Sequence, residues 1–195
     1  MDNQEANRSQ VTRHDRAVND QEWITDVLER AGMIVVATAV ADQPFTSTLL
    51  FAYDAQRHAI YLHTAKRGRV WENLKVNPRV CLTVAEMGRL LPAPTALNFS
   101  VEYQSVVIFG TACLVEDVEE ATYGLQLILD RYFPHLHPGQ DYRPITDGER
   151  EATAVYRVDV DEWSGKRKAV GEEFPGAFLW KDRPHKSDEN GGQIG

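Results

Sequence analysis

Only two cysteines, Cys81 and Cys113, occur in 195 residues, so no disulfide framework can staple this chain and its stability must come from an apolar core. No stretch approaches the about 20 apolar residues that a membrane helix requires, so no membrane partner is expected. Cations are scarce too. The 21 Lys and Arg face 29 Asp and Glu, a formal net charge of −8. Nucleic-acid binding needs a basic footprint, and that balance argues against it as a general property. The first residues, Met1 to Glu5, are polar and lack a leader's apolar run, which with the reduced cysteines gives an expectation of a cytoplasmic protein.

What remains is enough to fold. Apolar residues make up 43% of the chain, and the length suits one domain. Residues 1–18 read as a polar arm, 19–170 as the folded domain, and 171–195 as a largely flexible tail. Asn19 or Asp20 caps a helix carrying Trp23, Ile24, Val27, Leu28 and Ala31 at helical spacing, and Gly32 ends it. Short strands follow at 33–40, 45–53 and 59–63, linked by turns at 41–44 and 54–57. A helix is expected over 68–76, stopped by Asn77-Pro78, then a strand at 80–85, a loop over 86–99 and a strand over 105–115. Asp117, with Glu120 in a capping box, opens a second long helix bearing Leu125, Ile128, Leu129 and Tyr132. A last strand lies near 154–160. The fold class is mainly β: a small barrel of antiparallel strands with a few peripheral helices.

The chemistry concentrates in Tyr61-Leu62-His63-Thr64-Ala65-Lys66-Arg67-Gly68-Arg69. Three cations fall within four residues where a strand hands over to a helix. Positive side chains at a helix N-terminus oppose its dipole, and a bound anion relieves the conflict. The competing interpretation is a solvated basic patch on an acidic protein. His135 and His137 sit in a proline loop without a third ligand, so no metal is expected. Cys81 and Cys113 read as small buried hydrophobes.

That strand–turn–helix run, followed by Asn77-Pro78-Arg79-Val80, resembles the pyridoxamine 5′-phosphate oxidase-like flavoproteins, in particular the branch that includes the nitroimidazole-resistance proteins. Arg13-His14-Asp15-Arg16-Ala17-Val18 and Ser105-Val106-Val107-Ile108-Phe109-Gly110-Thr111-Ala112 fit the same branch. The resemblance implies a split β-barrel, a homodimer, and FMN in a groove between subunits. It makes Arg69, Lys66, Thr64 and His63 partners of the phosphate and ribityl chain, and sets Ser47, Thr48 and Leu49 beside the isoalloxazine. Gln104 and Ser105 would reach the flavin of the opposite subunit, and Trp163 matches an aromatic position near the cofactor. His63 is the one candidate for proton transfer to a small-molecule substrate. Val70 stands where the oxidases proper follow their phosphate-binding arginine with a lysine, and Leu50 where this branch often has a polar residue. The resemblance therefore implies an FMN-dependent oxidoreductase of a small aromatic or nitro-bearing molecule. The alternative is a non-catalytic flavin- or haem-binding protein using the same groove.

Overall fold

Asp20 sets the first helix: its carboxylate accepts the N–H groups of Glu22 and Trp23 at 2.9 and 3.3 Å, and α1 runs over Gln21–Arg30. The computed structural model describes residues 8–183. At the far end of α1 the open carbonyls of Leu28 and Ala31 receive the Arg131 guanidinium at 2.7 and 2.6 Å.

Among the described residues nine strands form one antiparallel sheet. They are β1 (Ala17–Val18), β2 (Ile34–Val40), β3 (Gln43–Leu49), β4 (Phe51–Asp54), β5 (Ala59–Ala65), β6 (Arg79–Leu91), β7 (Ser100–Leu114), β8 (Thr153–Lys168) and β9 (Phe178–Leu179). The main path is β3-β2-β6-β7-β8-β5-β4. Its first and last strands, β3 and β4, are consecutive in the chain and joined only by Leu50. The sheet must therefore curl until its two ends meet, which makes a barrel whose seam is covalent rather than hydrogen-bonded. Inside lie Ile34, Val36, Phe51, Ile60, Leu62, Leu82, Val106, Ile108 and Val158, all essentially inaccessible. Helix α1 inserts Ile24, Val27 and Leu28 into this core, and α2 (Arg69–Val76) adds Val70 and Leu74. A second cluster of Ala52, Tyr61 and Val155 lies under Ala121 and Ile128 of α3 (Val118–Tyr132).

The structure changes several sequence expectations. The strand foreseen over 45–53 breaks at Leu50 into β3 and β4, because the curled sheet needs its two ends there. The turn before it is only Ala41-Asp42, both with positive φ, and Pro44 sits in an edge strand where its missing N–H costs no ladder bond. The loop expected over 86–99 is strand as far as Leu91, with a register shift between Met87 and Leu90 that accommodates Gly88. Asp117 caps α3 through the Glu120 N–H, but the Glu120 side chain turns to the Tyr61 hydroxyl and Arg157, at 2.8 and 2.9 Å, instead of closing a capping box. The capping box belongs to α4 (Asp147–Ala152), where Thr146 and Glu149 exchange bonds. Cys81 and Cys113 are half-buried on the sheet's outer side rather than interior.

The described parts of both ends meet the barrel. Arg8 pairs with Glu162 at 2.8 Å, and β1 adds to β8, so the described part of the arm lies on the barrel. Beyond residue 170, Glu102 anchors the chain. Its carboxylate takes the Arg89 fork at 2.7 and 2.9 Å and the Val170 N–H at 2.9 Å, which holds it down at about 2. β9 then pairs with β6. Residues 1–7 of the arm and 184–195 of the tail lie outside the described residues. Among the described residues no helix is long and apolar enough to cross a membrane.

Candidate functional site

β5 delivers the chain to the start of α2 through residues 66–68. Gly68 takes φ +93° as the N-cap, a region where a side chain would be strained, and it offers no side chain to cap the helix. The first intrahelical bond is Glu72 N–H to the Gly68 carbonyl, at 3.0 Å. The N–H groups of Arg69, Val70 and Trp71 thus have no intrahelical acceptor and no capping side chain. Nothing stands within 4 Å of where a Gly68 Cβ would be, so the approach is open. Lys66, Arg67 and Arg69 are exposed, and among the described residues none of them meets a carboxylate. Glu72, the one acid of the first turn, pairs with Lys75 instead, at 2.6 Å. Free N–H groups, an accessible backbone and unpaired cations on one helix end are the donor set that a phosphate takes.

Arg69 leans on β3. Its guanidinium carbon is 5.1 Å from the centre of the Phe45 ring. Phe45, Ser47 and Leu49 alternate onto the inner side, opposite Thr38, Val36 and Ile34, whereas Thr48 points outward opposite Val35. The structure therefore joins Arg69 to the strand that carries Ser47 and Leu49. Thr64, on the inner side with Leu62, donates to the Ala65 carbonyl at 3.1 Å.

Lys66 stays at the start of α2 but also faces a second groove, and the other sequence candidates lie elsewhere in the chain. Lys66 borders a groove of 520 Å³ between α2 and α4, beside Trp71, Val115 and Arg150. His63 points to the opposite side of β5 from Thr64, under α3, and lines a cavity of 270 Å³ with Leu125 and Ile128. Its Nδ1 is buried without a partner, and burial pulls the imidazole below its ordinary value, which keeps it neutral near pH 7. Gln104 donates to Glu86 in a cleft that also holds Arg167 and Lys168. Ser105 sits opposite Lys166. Trp163 packs its ring 5.6 Å from Tyr53 and 4.6 Å from His58, beside α1.

Two residues near the α2 end escaped the sequence reading. Phe45 carries Arg69, and the alternation Phe45, Ser47, Leu49 was a signal for it. Tyr156 was hidden in an apolar strand. Its ring lies 6.5 Å from that of Trp71, its hydroxyl is buried beside the Thr64 side chain, and burial pushes the phenol up to about 12. Only the fold shows that buried hydroxyl.

A family model described as pyridoxamine 5′-phosphate oxidase matches residues 20–167. Among solved structures, the flavocytochrome Anf3 from Azotobacter vinelandii superposes with TM-score 0.72 at 26% identity, covering 92% of this chain and 87% of that one. An FAD- and heme-binding protein from Mycobacterium smegmatis gives TM-score 0.70 at 21% identity, over 80% and 74% of the two chains. A candidate 5-nitroimidazole antibiotic resistance protein from Bacteroides thetaiotaomicron gives 0.65 at 23%, over 77% and 86%. No curated protein matches the sequence.

Proposed function

The chain belongs to the pyridoxamine 5′-phosphate oxidase family, and on that premise we propose that it is a flavin-binding protein that holds FMN at the N-terminus of α2 and works as an oxidoreductase on a small aromatic or nitro-bearing molecule. The observation that carries this reading is the uncapped, cation-rich start of α2 beside β3. Arg69 and the first-turn N–H groups would hold the phosphate, with Lys66 across the helix end. The inner side of β3, with Phe45, Ser47 and Leu49, would border the ring. The flavin, once bound, supplies hydride and single-electron transfer. The chain's own residues hold and neutralise the phosphate, orient the ring and keep water from its buried edge. Structures described as a flavocytochrome and as an FAD- and heme-binding protein support a flavin in this fold.

Gln104, Ser105 and Trp163 lie apart from Arg69 in one chain, so their part in the site requires a second copy. The outer side of β2, β6 and β7 suits that contact: Val35, Ala37, Cys81, Ala85 and Val107 make a strip of small, mostly apolar side chains. A homodimer with two grooves is the assembly this reading requires.

Haem is the second reading, favoured by the two heme-containing relatives and by the unpartnered His63. Against it, the cavity at His63 is 270 Å³, below the about 300–1,000 Å³ of sites that take drug-sized ligands. The visible spectrum of the purified protein, with chromatography of the flavin released on denaturation, separates the cases. A flavin envelope and released FMN are expected. Released FAD would correct the cofactor, a Soret band would favour haem, and a colourless protein that takes up no added flavin would end the proposal.

A further inference from the structure

The cavity over His63 has no role in the flavin reading. It is lined by Leu125, Ile128, Leu129 and Ile145, together with His63 and the Arg143–Glu149 pair. The His63 Nδ1 is sealed in without a partner. A buried N–H lacking an acceptor is rarer and costlier than an unfilled lone pair, so the ring proton belongs on Nε2. That nitrogen is not sealed off and meets no described partner, which leaves it an available donor on a residue that lines the cavity. Arg143 gives one N–H to Glu149 at 2.9 Å and keeps the rest of its fork. Glu149 is itself filled by the Thr146 N–H and hydroxyl, both at 2.8 Å. Tyr142, also on the wall, accepts from Gln126 at 2.8 Å. One donor without an acceptor, His63 Nε2–H, and the spare N–H groups of an ion-paired Arg143 therefore stand beside aliphatic side chains.

We propose that this cavity binds a small apolar carboxylic acid, its carboxylate between His63 Nε2–H and Arg143 and its body against Leu125, Ile128, Leu129 and Ile145. A carboxylate supplies the acceptor that His63 lacks and a second one for the spare N–H groups of Arg143, and its charge strengthens both bonds. The 270 Å³ equal about nine waters at about 30 Å³ each, room for a single ring and its acid group. α4 contributes Glu149 to the lining, buries none of its own residues and is capped by its own Thr146–Glu149 pair.

Benzoate is the probe and benzyl alcohol its uncharged control, titrated calorimetrically into the full chain. Saturable benzoate binding is expected, tighter than that of benzyl alcohol by about tenfold or more. Arg143→Gln should weaken it by a similar factor, and that variant keeps the fold because the side chain is 70% exposed. His63→Phe should abolish the preference for benzoate over the alcohol. Protein stripped of flavin should bind benzoate equally well, since the site lies on the other side of β5. No saturable binding, equal affinity for the two probes, or an unchanged affinity in Arg143→Gln would each overturn the proposal.

Discussion

Arg69→Ala is expected to weaken FMN binding by about 10- to 100-fold, because a charge-assisted hydrogen bond contributes about 1.5–3 kcal/mol and each 1.4 kcal/mol is a factor of ten. The size of the effect follows from the address of the side chain. Arg69 is the first residue of a helix whose leading N–H groups are uncapped, and its guanidinium is steadied on the Phe45 ring. The fork is already in place when the phosphate arrives, so little ordering cost offsets the bond. Arg69→Lys keeps the charge but loses the fork and the stacking, and should fall between wild type and Ala. Since Arg69 is exposed, the melting temperature of the flavin-free protein should hardly move. Fluorescence quenching on titration with FMN measures the affinity, and an unchanged Kd in Arg69→Ala would remove α2 from the site.

Gly110→Ala should be the most destabilising single methyl in the barrel, at about 3 kcal/mol, the upper end of overpacking costs. At Gly110 the β7–β8 ladder shifts register, and the two backbones come so close that an added Cβ would lie 2.4 Å from the Asp159 carbonyl oxygen and 2.9 Å from Val158 Cγ1. The first of these is backbone in the middle of the longest ladder and cannot swing aside. For a chain of this length the expected loss in melting temperature is about 6–12 °C. Gly148→Ala is the control. It lies in α4 with nothing within 4 Å of the new methyl, and should leave stability unchanged or raise it by up to about 1 kcal/mol. Thermal unfolding of the two variants side by side tests the pair. Equal melting temperatures would mean that β7 and β8 are not packed this closely.

How far the sequence speaks depends on whether the signal is local. The Asp20 cap, the end of α2 at Asn77-Pro78 and the strand character of 105–115 are local, and all three are present in the structure. The break at Leu50 is not. Alternation runs through it undisturbed, and only the need to bring both ends of a curled sheet together divides β3 from β4. The strand continuing to Leu91 was masked by Gly88 and by Pro92 and Pro94, which read as loop although the ladder absorbs the glycine with a shift of register. α4 carried its own signal, Thr146 with Glu149, and it went unused. At the site, grouping His63 with Thr64 neglected the two-residue period, which sends neighbours on a strand to opposite sides. That separation sets the flavin site proposed at Arg69 and β3 apart from the acid site proposed at His63 and Arg143.

Binding of riboflavin compared with FMN tests the phosphate site most directly, because the two ligands differ only in the phosphate that the start of α2 is argued to hold. FMN should bind wild-type protein at least about 100-fold more tightly, the equivalent of two charge-assisted bonds. If riboflavin binds as tightly as FMN, the cations at that helix end hold no phosphate, and the flavin, if one is bound, lies somewhere else.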